Sequence, residues 1–285
     1  MTWDETIRYI RILPEHSVLV EKAYFDEDLH LNVRRFSESD EFKETLKIFK
    51  KYKPNASKVL DVGCGNGISA INFALKGYNV SAVEPDKSDT VGAGAIKLLK
   101  EELNLENIEI FEDFAENINF PNNFFDVVYV RQAMHHANNL DKFIKECVRV
   151  LKPSGLLLTI RDHVIYNEKD KEWFLSSHPL QKYYGGENAF TSIEYKNAFK
   201  KAGAKIIKEL KYFDSIINYF PATTKEVLIL KNSNELRQKK KLINKLGSIA
   251  NNWLVWNLYC LLSSYKPLNE TTIPGRIYSY IVIKK

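Results

Sequence analysis

The chain has 285 residues, 45% of them hydrophobic, with 41 basic against 36 acidic side chains and a formal charge of +5. That is enough apolar material for one large α/β domain with additions, which excludes a disordered chain; the slight, dispersed positive balance permits a nucleic-acid partner without requiring one. Three cysteines, Cys64, Cys147 and Cys260, lie far apart and lack metal-ligand spacing, so we expect free thiols in a reducing cytoplasm and not a disulfide scaffold.

The first residues, MTWDETIRYIRILPEHSVLVEKAY, carry acids early and lack an apolar core followed by a small-residue cleavage site, so no secretory signal and a cytoplasmic location are expected. Periodicity reads as helical over residues 1–53, which we take as an N-terminal cap containing Tyr24-Phe25-Asp26-Glu27 and Arg34-Arg35-Phe36. Residues 54–285 follow as the main domain.

From about Ser57 to Ile160, short β-rich runs alternate with helix-length amphipathic ones, the rhythm of a parallel sheet wound with helices on both faces. Strands are expected at Lys58 to Val62, Asn79 to Val83, Ile108 to Phe111, Phe125 to Val130 and Gly155 to Ile160. Helices are expected at Ile68 to Lys76, Asp89 to Leu103, Leu140 to Leu151 and Ser192 to Ala202. Ala204 to Tyr212 and Arg276 to Ile283 complete a doubly wound sheet of seven strands, mostly parallel with the last antiparallel.

A largely helical insertion at about 214–274 precedes the last strand. Within it LRQKKKLINK, at Leu236 to Lys245, leads to Trp253, Trp256 and Tyr259. We expect a lid whose apolar stripe packs on the sheet; contact with an anionic membrane surface or a homodimer interface are the alternatives. Gly247 to Tyr265 contains three asparagines and three serines in a span of marginal length, so a transmembrane segment is not expected.

The chemistry begins at Asp61-Val62-Gly63-Cys64-Gly65-Asn66-Gly67, where an apolar strand runs into three alternate glycines and then a helix. Glycines let the backbone turn sharply and approach a ligand without a Cβ in the way, although an isolated GxGxG is as often a plain tight turn. Glu84-Pro85 at the end of the second strand supplies a carboxylate suited to the two hydroxyls of a ribose, so loop and acid together indicate a nucleoside cofactor. Asp61 beside the loop would repel a pyrophosphate and suit an ammonium group, which favours S-adenosylmethionine (SAM) over a dinucleotide.

VLDVGCGNG, VEPD, FPNNFFDVVYVRQAMHH and VLKPSG resemble, in order and spacing, the motifs of class I SAM-dependent methyltransferases, and the small-molecule group called type 11 within them. The resemblance covers roughly Tyr24 to Gly203; Val91 to Ile96 and His178 through Phe190 look like a bacterial subgroup whose acceptor it does not name. It implies a Rossmann-like fold over residues 54–285, with S-adenosylhomocysteine as product. Asp61, Gly63, Cys64 and Gly65 would line the methionine end of SAM, and Glu84 with Pro85 would hold the ribose. Where the family often carries GDAE for adenine, this chain has Asp113-Phe114-Ala115-Glu116, which leaves Asp113 or Phe114 for that contact.

Acceptor residues are expected at the carboxyl ends of the fourth and fifth strands. Arg131 and Gln132 are read on the cofactor side, with an acceptor anion as the other partner for Arg131; His136 and Asp162 are read on the acceptor side. His163 and His135 are the candidate bases, because an imidazole suits removal of a hydroxyl proton at neutral pH. Tyr183, Tyr184, Glu187 and Asn188 would cover the acceptor. No metal is expected, since metal-dependent relatives place carboxylates where this chain has Arg131-Gln132. The function expected is methyl transfer to a hydroxyl or amine of a small metabolite, a sugar or surface-polysaccharide precursor among them, with no DNA partner because no [DN]PP[YF] pattern follows the fourth strand. An NAD(P)-dependent oxidoreductase and a non-catalytic SAM-binding partner subunit are the competing readings.

Overall fold

The computed structural model describes residues 1–262 and 270–285. Eight strands form one sheet: β1 (Lys58–Val62), β2 (Asn79–Val83), β3 (Ile108–Phe111), β4 (Phe125–Arg131), β5 (Leu151–Ile165), β6 (Phe190–Thr191), β7 (Ala204–Leu210) and β8 (Ile277–Lys284). Their order is β3-β2-β1-β4-β5-β8-β7, with the two-residue β6 added beside the end of β5. Pairing is parallel except for β8, which runs antiparallel to both β5 and β7.

Burial on both faces follows from strand alternation. Val59, Val80, Ala82, Val127, Tyr129, Leu156 and Leu158 point to one core, while Leu60, Val62, Val83, Val128, Val130 and Leu157 point to the other. The helices Ile68–Leu75 and Ala93–Glu102 cover the first face; Leu140–Val150 and Ser192–Lys201 cover the second. Within 1–53, the helices Leu29–Glu38 and Asp40–Tyr52 supply Val33, Phe36, Phe42 and Phe49 to the first core. The segment before them packs apart except at Tyr24, with Ile7 and Ile10 of helix Trp3–Arg11 meeting Val91, Leu180 and Tyr183.

Among the boundaries that differ from expectation, two have clear local reasons. The helix expected from Asp89 starts at Ala93, because the chain first folds back on itself: Ala93 N–H donates to the Asp86 carbonyl, and a Cβ on Gly92 would sit 2.3 Å from that oxygen. β5 does not stop at Ile160. Arg161 takes a left-handed φ of 61°, the register with β8 shifts between Thr159 and Asp162, and pairing resumes with Asp162 opposite Tyr278 and His163 opposite Ile277. His163 is therefore held in the sheet and not on a loop.

The insertion departs further. After the long helix Thr224–Leu246 comes the helix Trp253–Leu262, and no residue of the latter is buried. The expected packing of its apolar stripe on the sheet is not what the structure has: Trp253, Leu254, Leu258, Leu261 and Leu262 are 55–82% exposed. WLVWNLYCLL carries apolar residues on nearly every side, so packing on one side would still leave apolar surface in contact with water. Residues 263–269, the end of the span considered for a membrane segment, lie outside the described residues; among the described ones no helix is long and apolar enough to cross a membrane.

Candidate active site

Of the expected cofactor residues, Asp61, Gly63, Cys64, Gly65 and Glu84 converge where β1 meets β2 and β4. Gly63 has φ 63° and Gly65 φ 56°, and a Cβ on Gly63 would lie 2.6 Å from that of Ala133, so the turn after β4 presses directly on the glycine loop. The helix Ile68–Leu75 begins behind left-handed Gly67 with no side-chain cap, unlike Leu140–Val150, capped by Asn139, or Ser192–Lys201, capped by Thr191. Asn66 ties the loop to the N-terminal segment by donating to the carbonyl of Tyr24 at 2.7 Å, and Tyr24 is itself left-handed at φ 61°.

Two carboxylates are buried at this turn without an ion-pair partner among the described residues. Asp61 is fully buried; its Oδ2 accepts from Ser69 Oγ at 2.6 Å, its Oδ1 has no partner, and burial pushes its pKa up to about 7. Glu84 accepts from the backbone N–H of Gly65 at 2.7 Å and of Asp86 at 3.0 Å, and burial raises it to about 7 as well. A ligand offering an ammonium to Asp61 and hydroxyls to Glu84 would meet both demands, so the residues present fit SAM. Cys64 is buried, with its Sγ toward the Val83 carbonyl at 3.6 Å, and Pro85 is exposed beyond Glu84. Asp113 is half-buried and Phe114 is 62% exposed, so its ring is open for stacking.

Arg131 stands elsewhere than a cofactor carboxylate requires. Its guanidinium grips the fully buried Glu41 through Nε at 2.6 Å and Nη2 at 3.3 Å, while Arg161 Nε lies 3.6 Å from the same carboxylate. Gln132 follows with φ 51°, a side-chain-bearing residue in the left-handed region at the end of β4, as Arg161 is within β5.

The acceptor residues gather beside this turn. His135 is buried; its Nδ1 pairs with Asp162 Oδ1 at 3.0 Å, which also accepts the His135 backbone N–H at 3.2 Å. Asp162 Oδ1 already accepts that backbone N–H, so it accepts from the ring as well: Nδ1 carries the proton and Nε2 keeps a lone pair, 3.8 Å from Glu187 Oε2. His163 Nδ1 donates in the same way to the Gly275 carbonyl at 2.6 Å, leaving its Nε2 as the lone pair. Gly275 is held in place by buried Arg276, which binds Asp170 and the carbonyls of Glu270, Ile273 and Val164. His178 Nδ1 lies 3.7 Å from Glu187 Oε1, and His136 Nδ1 bonds the Gly186 carbonyl at 3.2 Å.

Four of the six histidines thus cluster here, His135, His163 and His178 about the Glu187 carboxyl and His136 against the His135 ring. Burial drives His135 well down, His163 to about 3 and His178 to about 4, so the imidazoles are neutral and only weakly basic; burial raises Asp162 to about 8 and Glu187 to about 7. Asp162 orients His135 from beneath. Tyr183 and Tyr184 turn to the N-terminal helix, Tyr183 against Tyr9 and His16 and Tyr184 against Trp3, while Asn188 is half-buried next to Glu187. Sequence reasoning did not single out Glu41, Ser69, Gly275 or a role for His178; of these only His178 stood in a run already noted, His178-Pro179-Leu180.

Comparison with known proteins bears on the centre of the chain. A family model described as a methyltransferase domain matches residues 60–159. A ubiquinone biosynthesis O-methyltransferase of Rickettsia prowazekii is 32% identical over 116 residues, 39% of this chain and 44% of the relative. The methyltransferase YcgJ of Bacillus subtilis is 32% identical over 113 residues, 37% of this chain and 40% of that protein, and its crystal structure superposes with a TM-score of 0.52 over 85% of this chain and 97% of its own at 21% identity. Geranyl diphosphate C-methyltransferase from Streptomyces coelicolor, solved with Mg2+, geranyl diphosphate and S-adenosyl-L-homocysteine, gives 0.57 at 16% identity over 97% and 87%. The chain spans less than half the length of these two curated relatives.

Proposed function

We propose that this chain, whose residues 60–159 match a methyltransferase domain, is a SAM-dependent methyltransferase of the class I, type 11-like group that moves a methyl group from SAM to a hydroxyl or amine of a small molecule held beyond β4 and β5. The observation that carries this reading is the pair of buried, uncompensated carboxylates, Asp61 and Glu84, at a glycine turn whose neighbour in space is the histidine-bearing turn after β4. SAM supplies an activated methyl, so the chain's task is alignment and exclusion of water. Asp61 would hold the methionine end of the cofactor and Glu84 its ribose; Ala133 against Gly63 sets how close the acceptor side approaches.

The acceptor cluster is imidazole and carboxylate in character, which favours a polar acceptor such as a sugar or surface-polysaccharide precursor. Residues 1–53 and the insertion act as additions to the methyltransferase domain at 54–285, and the protein works in the cytoplasm. Calorimetry with SAM and with NAD, then a transfer assay over pooled metabolites and sugar nucleotides read by the mass gain of one methyl, tests the proposal. SAM binding and one product class are expected. NAD binding without SAM binding would return the oxidoreductase reading, and SAM binding without any turnover would leave a non-catalytic partner subunit.

The arm Thr224–Leu262 serves on this reading as a contact with an anionic membrane surface. Lys239 lies over the Trp256 ring at 5.2 Å, so the lysine-rich end of the long helix, with Lys240, Lys241 and Lys245, borders the exposed apolar helix. That pairing complements acidic headgroups over hydrocarbon.

A further inference from the structure

We propose that His135, His163 and Glu187 form a binding site for one divalent transition-metal ion, Zn2+ by preference, on the acceptor side of the cofactor turn. One potential ligand atom from each lies within 4.8 Å of the others. His135 Nε2 and Glu187 Oε2 lie 3.8 Å apart, near the separation of about 3.4 Å that a tetrahedral ion with bonds of about 2.1 Å imposes. Two imidazoles and a carboxylate leave at least one coordination position open, the arrangement of catalytic rather than structural zinc sites.

The hydrogen bonding around the three residues carries the inference further than distance does. Each imidazole has its Nδ1–H committed, one to the Asp162 carboxylate and the other to the Gly275 carbonyl, which leaves Nε2 unprotonated on both. That is the outer-shell pattern by which proteins orient metal-binding histidines. Glu187, 9% exposed, accepts no hydrogen bond with its side chain among the described residues; its nearest nitrogens are at 3.8 and 3.7 Å, beyond hydrogen-bond range. His178 Nδ1, on the other side of that carboxylate, is buried and unpartnered. The Nε2 lone pairs of His135 and His163 thus face a buried carboxyl with no hydrogen bond joining them, which is costly, and a cation at their centre removes the cost. Nitrogen ligands select a first-row transition ion over Mg2+.

The role assigned to this ion rests on the methyl-transfer reading. It holds an acceptor oxygen beside the cofactor turn and draws off its proton to solvent, which replaces the histidine base expected from the sequence and reverses the expectation of no metal. The test uses the full chain stripped with a chelator and titrated with Zn2+ by calorimetry and with Co2+ by its visible absorption. One equivalent is expected per chain, with affinity weakened 10-fold or more by Glu187→Gln and by His163→Ala and SAM affinity preserved in both. No uptake by the wild-type chain, or uptake that both variants retain unchanged, overturns the site. Metal uptake with transfer that survives its removal overturns the anchoring role. Metal uptake in a chain that binds no SAM would sink the methyltransferase reading and leave the ion site standing.

Discussion

Glu41 and Glu84 are both buried acids close to the carboxyl edge of the sheet, and they are treated in opposite ways. Glu41 faces two guanidinia, Arg131 and Arg161, and its charge is answered within the fold. Glu84, with Asp61 beside it, has backbone N–H groups and a hydroxyl but no cation, and both are pushed up toward neutrality. A buried charge that the chain neutralises itself is architecture; one that it leaves open is a demand on a ligand. Arg131, expected from sequence to serve SAM, falls on the architectural side.

The strongest way to break this division is Glu41→Ala, which strands two buried guanidinia. It should cost about 3–5 kcal/mol of stability in denaturant titration, with SAM affinity of the remaining folded protein little changed. Normal stability together with lost SAM binding would move Arg131 back to the cofactor. The next effect is smaller and of different kind. Asp61→Asn and Glu84→Gln should each weaken SAM by roughly 10- to 100-fold, the scale of a charge-assisted hydrogen bond, while leaving the ligand-free protein as stable or more so.

The same acids predict a pH dependence. Their folded pKa values, about 7, lie above the ordinary 3.8 and 4.5, so between those limits the folded chain binds protons that the unfolded chain has released. Stability of the ligand-free protein from these two groups therefore falls as pH rises through that window and levels off above it. SAM favours the ionised acids, so its affinity should rise across the window and flatten beyond about pH 8. Melting curves with and without SAM, repeated on Asp61→Asn, check this; an affinity that falls with pH would contradict the assignment.

How much of each region could be read in advance follows from how it is built. β1, β2 and β3 lie where alternation and β-branched runs place them, and Asp61 through Glu84 is one contiguous unit in which strand, turn, helix and strand are all local signals. The Glu41–Arg131 pair joins residues 90 apart, and neither helical periodicity nor charge pattern links them. The histidine cluster draws on His135, His163, His178, Glu187 and the carbonyl of Gly275. Its histidines at two strand ends were visible in the chain, but the shift in β5 that holds His163, and the arginine that holds Gly275, exist only once β8 is in place.

A third kind of demand lies in the arm, where the uncompensated quantity is apolar surface and not charge. Trp253 is 72% and Leu261 82% exposed, so Trp253→Ser and Leu261→Ser together should change folding stability by less than about 1 kcal/mol. The same double variant should lose most binding to vesicles containing acidic lipid, measured by co-sedimentation, and raised salt should weaken the wild type because Lys239 to Lys241 contribute by charge. Vesicle binding that ignores both the substitutions and salt would remove the membrane role. A concentration-dependent dimer abolished by the same changes would assign the surface to a second copy, and the arm would then join the architectural side of the comparison.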